Sequence, residues 1–189
     1  VARSPRRGVT SADGPAGQQP PPAVRQAPGG PDPRDPPRGR LRVDVGLSHE
    51  PLDVLAALAA VRDPACGGYG VFVGSVRDHH EGEAVTGLAY EAWEQEAVPA
   101  LERIAALVGE RFVSVRAVHV RHRLGSLAVG EDAIVVATAA PHRAEATDAA
   151  AFLVDAVKAE VPIWKREHLA DGEHRWPGLD TEHDRGWRG

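Results

Sequence analysis

The chain has 189 residues, 42% of them hydrophobic and 26% charged, with a formal net charge of −5. That is enough for one domain with a core, in the composition of an ordinary soluble globule. It excludes a membrane span, because no apolar run is long enough, and an internal disulfide, because Cys66 is the single cysteine.

No segment has the apolar centre of a signal peptide, and one unpaired cysteine fits a reducing cytoplasm. Residues 1–40 carry seven Arg against three Asp, a balance of +4, while the remainder carries fifteen basic and twenty-four acidic side chains, a balance of −9. An acidic globule is a poor general nucleic-acid binder, so any cationic site on it must be a local cluster. The two lysines, Lys158 and Lys165, stand out against twenty arginines. In such a composition a retained lysine is expected where a compact amine does what a guanidinium cannot, the alternative being that two lysines survive by chance.

Residues 1–40 are rich in Pro, Gly and Arg, with runs such as Gln19-Pro20-Pro21-Pro22, and present no periodic apolar face. They are expected to be disordered, either as an upstream extension or as a tail with a weak partner. Order is expected from Leu41, where Leu41, Val43 and Val45 alternate as a short strand. Ser48–Val61 reads as a helix with Pro51 in its first turn and Leu52, Leu55 and Leu58 on one face.

Gly70–Arg77 reads as a strand running into the polar loop Asp78-His79-His80-Glu81-Gly82, and Val85–Trp93 as the next strand. Ala97, Leu101, Ile104 and Val108 mark a second helix ending near Gly109, with Pro99 in its first turn or at a kink. Phe112–Arg123 reads as one long strand whose alternation slips at Ala117-Val118, as at a bulge. After turns at Gly125 and Gly130 comes a buried strand, Ala133–Ala139. A third helix runs from Pro141 to about Glu160, and Pro162 stops it before an extended segment, Ile163–Glu167. The order is α+β without repeats.

The third helix opens Pro141-His142-Arg143, which places basic side chains beside free backbone N–H groups, a receptor for an anion; Arg143 paired with Glu145 is the plainer alternative. Lys158 stands near the other end of that helix, where a cation also suits the macrodipole. In Trp164-Lys165-Arg166-Glu167 the extended backbone puts Lys165 and Glu167 on one face, so the carboxylate can orient the amine. Ser75 and Arg77 share a face at a strand end, a common place for a ligand clamp, although Arg77 can also pair with Asp78 or Glu81. Adjacent His79 and His80 lack the spacing of a metal site, and His119 and His122 should point to opposite faces of their strand.

Several stretches together resemble the large, catalytic subunit family of molybdopterin synthase. They are Phe72-Val73-Gly74-Ser75-Val76-Arg77-Asp78, Tyr90-Glu91-Ala92, His122-Arg123-Leu124-Gly125, Val129-Gly130-Glu131, Ala140-Pro141-His142-Arg143-Ala144-Glu145 and Val161-Pro162-Ile163-Trp164-Lys165-Arg166-Glu167. The likeness runs from about Leu41 to Trp176, a catalytic domain of residues 41–176 followed by an extension, 177–189, of no assigned role. Trp93 stands where the family usually has Tyr, and Glu96 where the helix start is often more apolar.

The resemblance implies an α/β hammerhead-like fold with an additional antiparallel sheet, working as a homodimer within a heterotetramer. It implies a partner, a small ubiquitin-like sulfur carrier whose C-terminal Gly-Gly ends in a thiocarboxylate, and a cyclic pyranopterin phosphate substrate that receives sulfur in two rounds. No cofactor, metal, nucleic acid or membrane is implied. By motif, Lys165 is the main catalytic amine and Lys158 its companion. His142, Arg143 and Arg77 would bind the substrate, with Ser75, Val76, Arg166 and Glu167 lining the site. A non-catalytic binding module for a phosphorylated metabolite, or for the carrier's tail, is the alternative from another class.

Overall fold

The computed structural model describes residues 39–80, 82–169 and 174–175. The expectations for residues 1–38, Glu81, Trp176 and the 177–189 extension lie outside the described residues. The elements are β1 (Arg42–Ser48), α1 (Val54–Ala60), β2 (Gly68–Ser75), β3 (His79–His80), β4 (Glu83–Ala92), α2 (Glu94–Arg111), β5 (Ala117–Arg123), β6 (Gly125–Ala128), β7 (Asp132–Ala140), α3 (Arg143–Glu160), β8 (Ile163–Leu169) and β9 (His174–Arg175). One sheet has the order β1-β5-β7-β2, with β1 parallel to β5 and the other pairs antiparallel. A second, antiparallel sheet has the order β3-β4-β8-β9, and β6 also pairs with β4. This is the expected α+β organisation with an additional antiparallel sheet.

The first sheet is covered on both faces, and that explains its sequence. Ala57 and Val61 at the end of α1 pack on Ala117, Val135, Ala137 and Ala139. Leu101 and Ile104 of α2 and Leu153 and Val157 of α3 pack on Val118, Val120 and Val136 on the other side. A strand buried on both faces reads as a continuous apolar run, and β7 is buried from Ala133 to Ala140.

The same reasoning replaces the expected bulge at Ala117-Val118. The strand starts there, its register with β1 and β7 is unbroken, and the two residues face opposite buried layers. Residues 112–116 are instead the turn that closes α2, with the Phe112 N–H donating to the Val108 carbonyl.

The first helix is shorter than its sequence suggests. Ser48 is held in β1 opposite Arg123, so the helix begins only where the Asp53 carboxylate accepts the Ala56 N–H at 2.9 Å. Pro51 therefore precedes the helix, and Leu55 is 77% exposed while Ala57 and Val61 are buried. Pro99 lies within α2 as its sixth residue, where it forfeits one i→i−4 hydrogen bond.

α3 lies close against β2. The Thr138 hydroxyl donates to the Ala146 carbonyl at 2.6 Å, and a Cβ on Gly70 would overlap that same carbonyl and lie 2.8 Å from the Thr138 Oγ1. Gly70→Ala is therefore expected to push helix and strand apart, costing about 1–3 kcal/mol and lowering the thermal midpoint in a calorimetric scan. An unchanged midpoint would show that this contact yields freely.

Candidate functional site

At the C-terminal end of α3 the N–H of Val161 closes the last turn on the Val157 carbonyl at 3.1 Å, and Pro162 turns the chain into β8. The end of α3, the ends of β2 and β7 and one face of the second sheet enclose a cavity of about 740 Å³. That is the size of a small-molecule site. Alternation along β8 directs Lys165 and Glu167 into it, opposite Tyr90 and Leu88 of β4. Lys158 from α3, Ser75 from β2 and Arg77 beyond it also line the cavity.

The cavity holds cations around one buried carboxylate. The Lys165 Nζ donates to the Glu167 Oε1 at 3.1 Å, and the His80 Nδ1 lies 3.2 Å from the Glu167 Oε2. The Glu167 side chain is 2% exposed, so it acts from within the wall, whereas Lys165 at 34% reaches open space. His80 gets there because β3 pairs with the start of β4 through a reversal at Gly82, whose φ of +87° suits glycine. The expected open loop at 78–82 is thus partly a strand.

Burial, and secondarily the Glu167 charge, pushes the Tyr90 phenol up, so it stays protonated. Burial pulls His122 below the ordinary histidine range against the opposing effect of its bond to the Arg123 carbonyl. The Tyr90 and His122 rings meet edge to face with centroids 4.8 Å apart.

Four of the expected site residues lie elsewhere in the chain. Arg166 takes the other face of β8, 4.0 Å from the Glu91 Oε1, because alternation turns it away from Lys165. Val76 is buried among Val85, Leu88 and Leu127, and its backbone bonds Glu131 and Gly130 at 2.9 Å each; it fixes the strand end and does not line the cavity. Ser75 is in the cavity, with its hydroxyl donating to the Asp132 Oδ1 at 2.6 Å.

His142 and Arg143 are exposed at the start of α3, beside Gly67 and Gly68 at the beginning of β2. Arg77 follows the other end of β2, roughly 23 Å along the strand, and Lys158 is about 22 Å along the helix. One chain therefore does not gather His142, Arg143 and Arg77 around one phosphate.

Among the described residues no three His, Cys, Asp or Glu side chains are grouped to hold a metal. His119 and His122 do face apart, His119 bonding Asp44 at 2.9 Å and His122 lining the cavity. His122, Tyr90 and His80 line the cavity without a role expected from the sequence. The first two belong to motifs that carry the resemblance, which was the available signal; the placement of His80 depends on the hairpin.

The family model described as "MoaE protein" matches residues 47–160. The chain is 45% identical over 132 residues to the molybdopterin synthase catalytic subunit 1 of Mycobacterium tuberculosis, covering 70% of this chain and 88% of that protein. It is 41% identical over 135 residues to the molybdopterin synthase catalytic subunit of Pyrococcus abyssi, covering 71% and 90%. The Drosophila willistoni counterpart is 38% identical, and the match spans 70% of this chain but 36% of that longer protein. A crystal structure of molybdopterin synthase from Staphylococcus aureus superposes with a TM-score of 0.65 at 28% identity, covering 73% of this chain and 96% of that one. A complex of subunits 1 and 2 of the molybdopterin-converting factor from Helicobacter pylori shares the fold, with a TM-score of 0.59 at 20% identity over 72% of this chain and 92% of that one.

Proposed function

The chain belongs to the MoaE protein family, and from that membership we propose that it is the catalytic, sulfur-transferring subunit of a molybdopterin synthase, acting in molybdenum cofactor biosynthesis. Residues 41–176 form the catalytic unit, in the cytoplasm. The substrate is a cyclic pyranopterin phosphate, and the sulfur comes from the thiocarboxylated Gly-Gly terminus of a small ubiquitin-like carrier, in two rounds. The observation that supports this best is Lys165 reaching into a 740 Å³ cavity from the buried Glu167 carboxylate, with Lys158 and Arg77 alongside. A cationic cavity in an acidic globule suits an anionic substrate and an anionic tail together. The test is incubation with the pterin precursor and thiocarboxylated carrier, followed by assay of the dithiolene product. Binding of both without product would favour the non-catalytic module.

Substrate-binding roles for His142 and Arg143 then require a second copy of the chain, in keeping with a homodimer inside the synthase. Mixing Lys165→Ala and Arg143→Ala chains, with subunits allowed to exchange, is expected to restore activity. Half of the dimers are mixed and each has one intact cavity, so recovery should reach about one quarter of wild type. No recovery above the parents would mean that each chain serves its own cavity or that Arg143 has no part in it.

A further inference from the structure

His122 is a titratable group in this cavity to which the motif-based roles give nothing to do, and its environment is closely defined. It is 7% exposed, on β5. Its Nδ1 lies 2.8 Å from the Arg123 carbonyl oxygen, which can only accept, so Nδ1 carries the proton. Burial disfavours the charged ring, and the neutral imidazole therefore has its lone pair on Nε2. The side chain makes that hydrogen bond and the edge-to-face contact with Tyr90, and the residue lines the cavity.

Several of the other cavity groups are already committed to partners. Both Glu167 oxygens are engaged, by Lys165 and by His80, and the side chain is 2% exposed. Tyr90 is held as the phenol. Arg77 has no lone pair to offer, and Lys158 and Lys165 offer one only as neutral amines. His79, near the rim, bonds Asp78 at 2.6 Å.

Sulfur transfer from a thiocarboxylate requires a proton acceptor. Once the sulfur has bonded to a substrate carbon it still carries the carrier's acyl group. Releasing it consumes one water: the water oxygen bonds to the acyl carbon, the acyl carbon–sulfur bond breaks, and the electron pair leaves on sulfur. Resting on the sulfur-transfer reading above, we propose that His122 is the general base of this step. Its Nε2 takes a proton from the attacking water and passes it to the departing sulfur, so that the carrier ends as a free carboxylic acid, the substrate as a thiol and the imidazole neutral again. Nothing is oxidised or reduced.

The test is a single turnover of the full chain with thiocarboxylated carrier and pterin precursor, quenched over time and read by intact-mass spectrometry. His122→Gln is expected to form the covalent carrier–substrate adduct and accumulate it, with release slowed about 100-fold, the scale of lost general-base catalysis. His122→Phe keeps a ring against Tyr90 and carries the same test should His122→Gln fail to fold. Release within twofold of wild type in a folded variant, or slow product formation with no accumulated adduct, would overturn this role and leave the sulfur-transfer reading standing. A wild-type chain that forms neither adduct nor product would overturn that reading, and this role with it.

Discussion

Replacing Lys165 with alanine is expected to lower single-turnover product formation by about 100- to 1000-fold, the scale of removing one preorganised charge or donor from a reacting centre. Lys165 reaches the cavity from a strand whose register is set by Tyr90↔Lys165 and Leu88↔Glu167, so truncation at Cβ leaves the fold intact, as circular dichroism should show. Lys165→Arg is expected to rescue little. A guanidinium stays protonated and cannot act as a base or an amine nucleophile, and its fork does not match the single 3.1 Å contact with Glu167. Lys158→Arg should cost less, because Lys158 is exposed on the last turn of α3 and has the role of a companion charge. Near-wild-type rates in Lys165→Ala would remove it from the catalytic centre and raise the binding-module reading above the enzyme reading. An active Lys165→Arg would keep the enzyme and replace amine chemistry with electrostatics.

Loss of Glu167 is expected to damage both stability and rate, an uncommon combination for a site residue. Its side chain is 2% exposed and bridges Lys165 at 3.1 Å and His80 at 3.2 Å, so removing it strands two donors against an apolar wall that includes Leu88. Leaving buried donors without an acceptor costs about 1–3 kcal/mol per group. Lys165 and His80, being 34% and 22% exposed, recover part of that through water. Glu167→Ala should therefore lower the thermal midpoint by several degrees and also slow product formation, because the amine loses its orientation. Glu167→Gln keeps the shape and one acceptor, so it should fall between Glu167→Ala and wild type in both measurements. If Glu167→Gln lost activity while keeping full stability, the carboxylate charge would matter to the reaction directly and not through the placement of Lys165.

The sequence by itself determined the parts of this protein that depend on local periodicity and on a few side chains with unusual chemistry. The apolar spacing of α2 and α3, the continuous run of β7 and the Pro162 break each follow from forces acting within a few residues. Two lysines among twenty arginines pointed to the amines that meet in one cavity. Tertiary structure decided where local signals compete or run out. Ser48 carries a helix-capping side chain yet is held in β1 opposite Arg123, and the helix starts five residues later at the Asp53 cap. Arg166 sits between Lys165 and Glu167 in the chain but on the other face of the strand. His142 and Arg143 were grouped with Arg77 by motif, but β2 and α3 are rigid elements that hold them at opposite ends. His122 and His80, remote in sequence from Lys165, come to its cavity only because the end of β5 and the β3–β4 hairpin line it together with β8. Pairing between distant strands depends on the burial of whole faces and the closure of the sheets, which no short window of residues encodes.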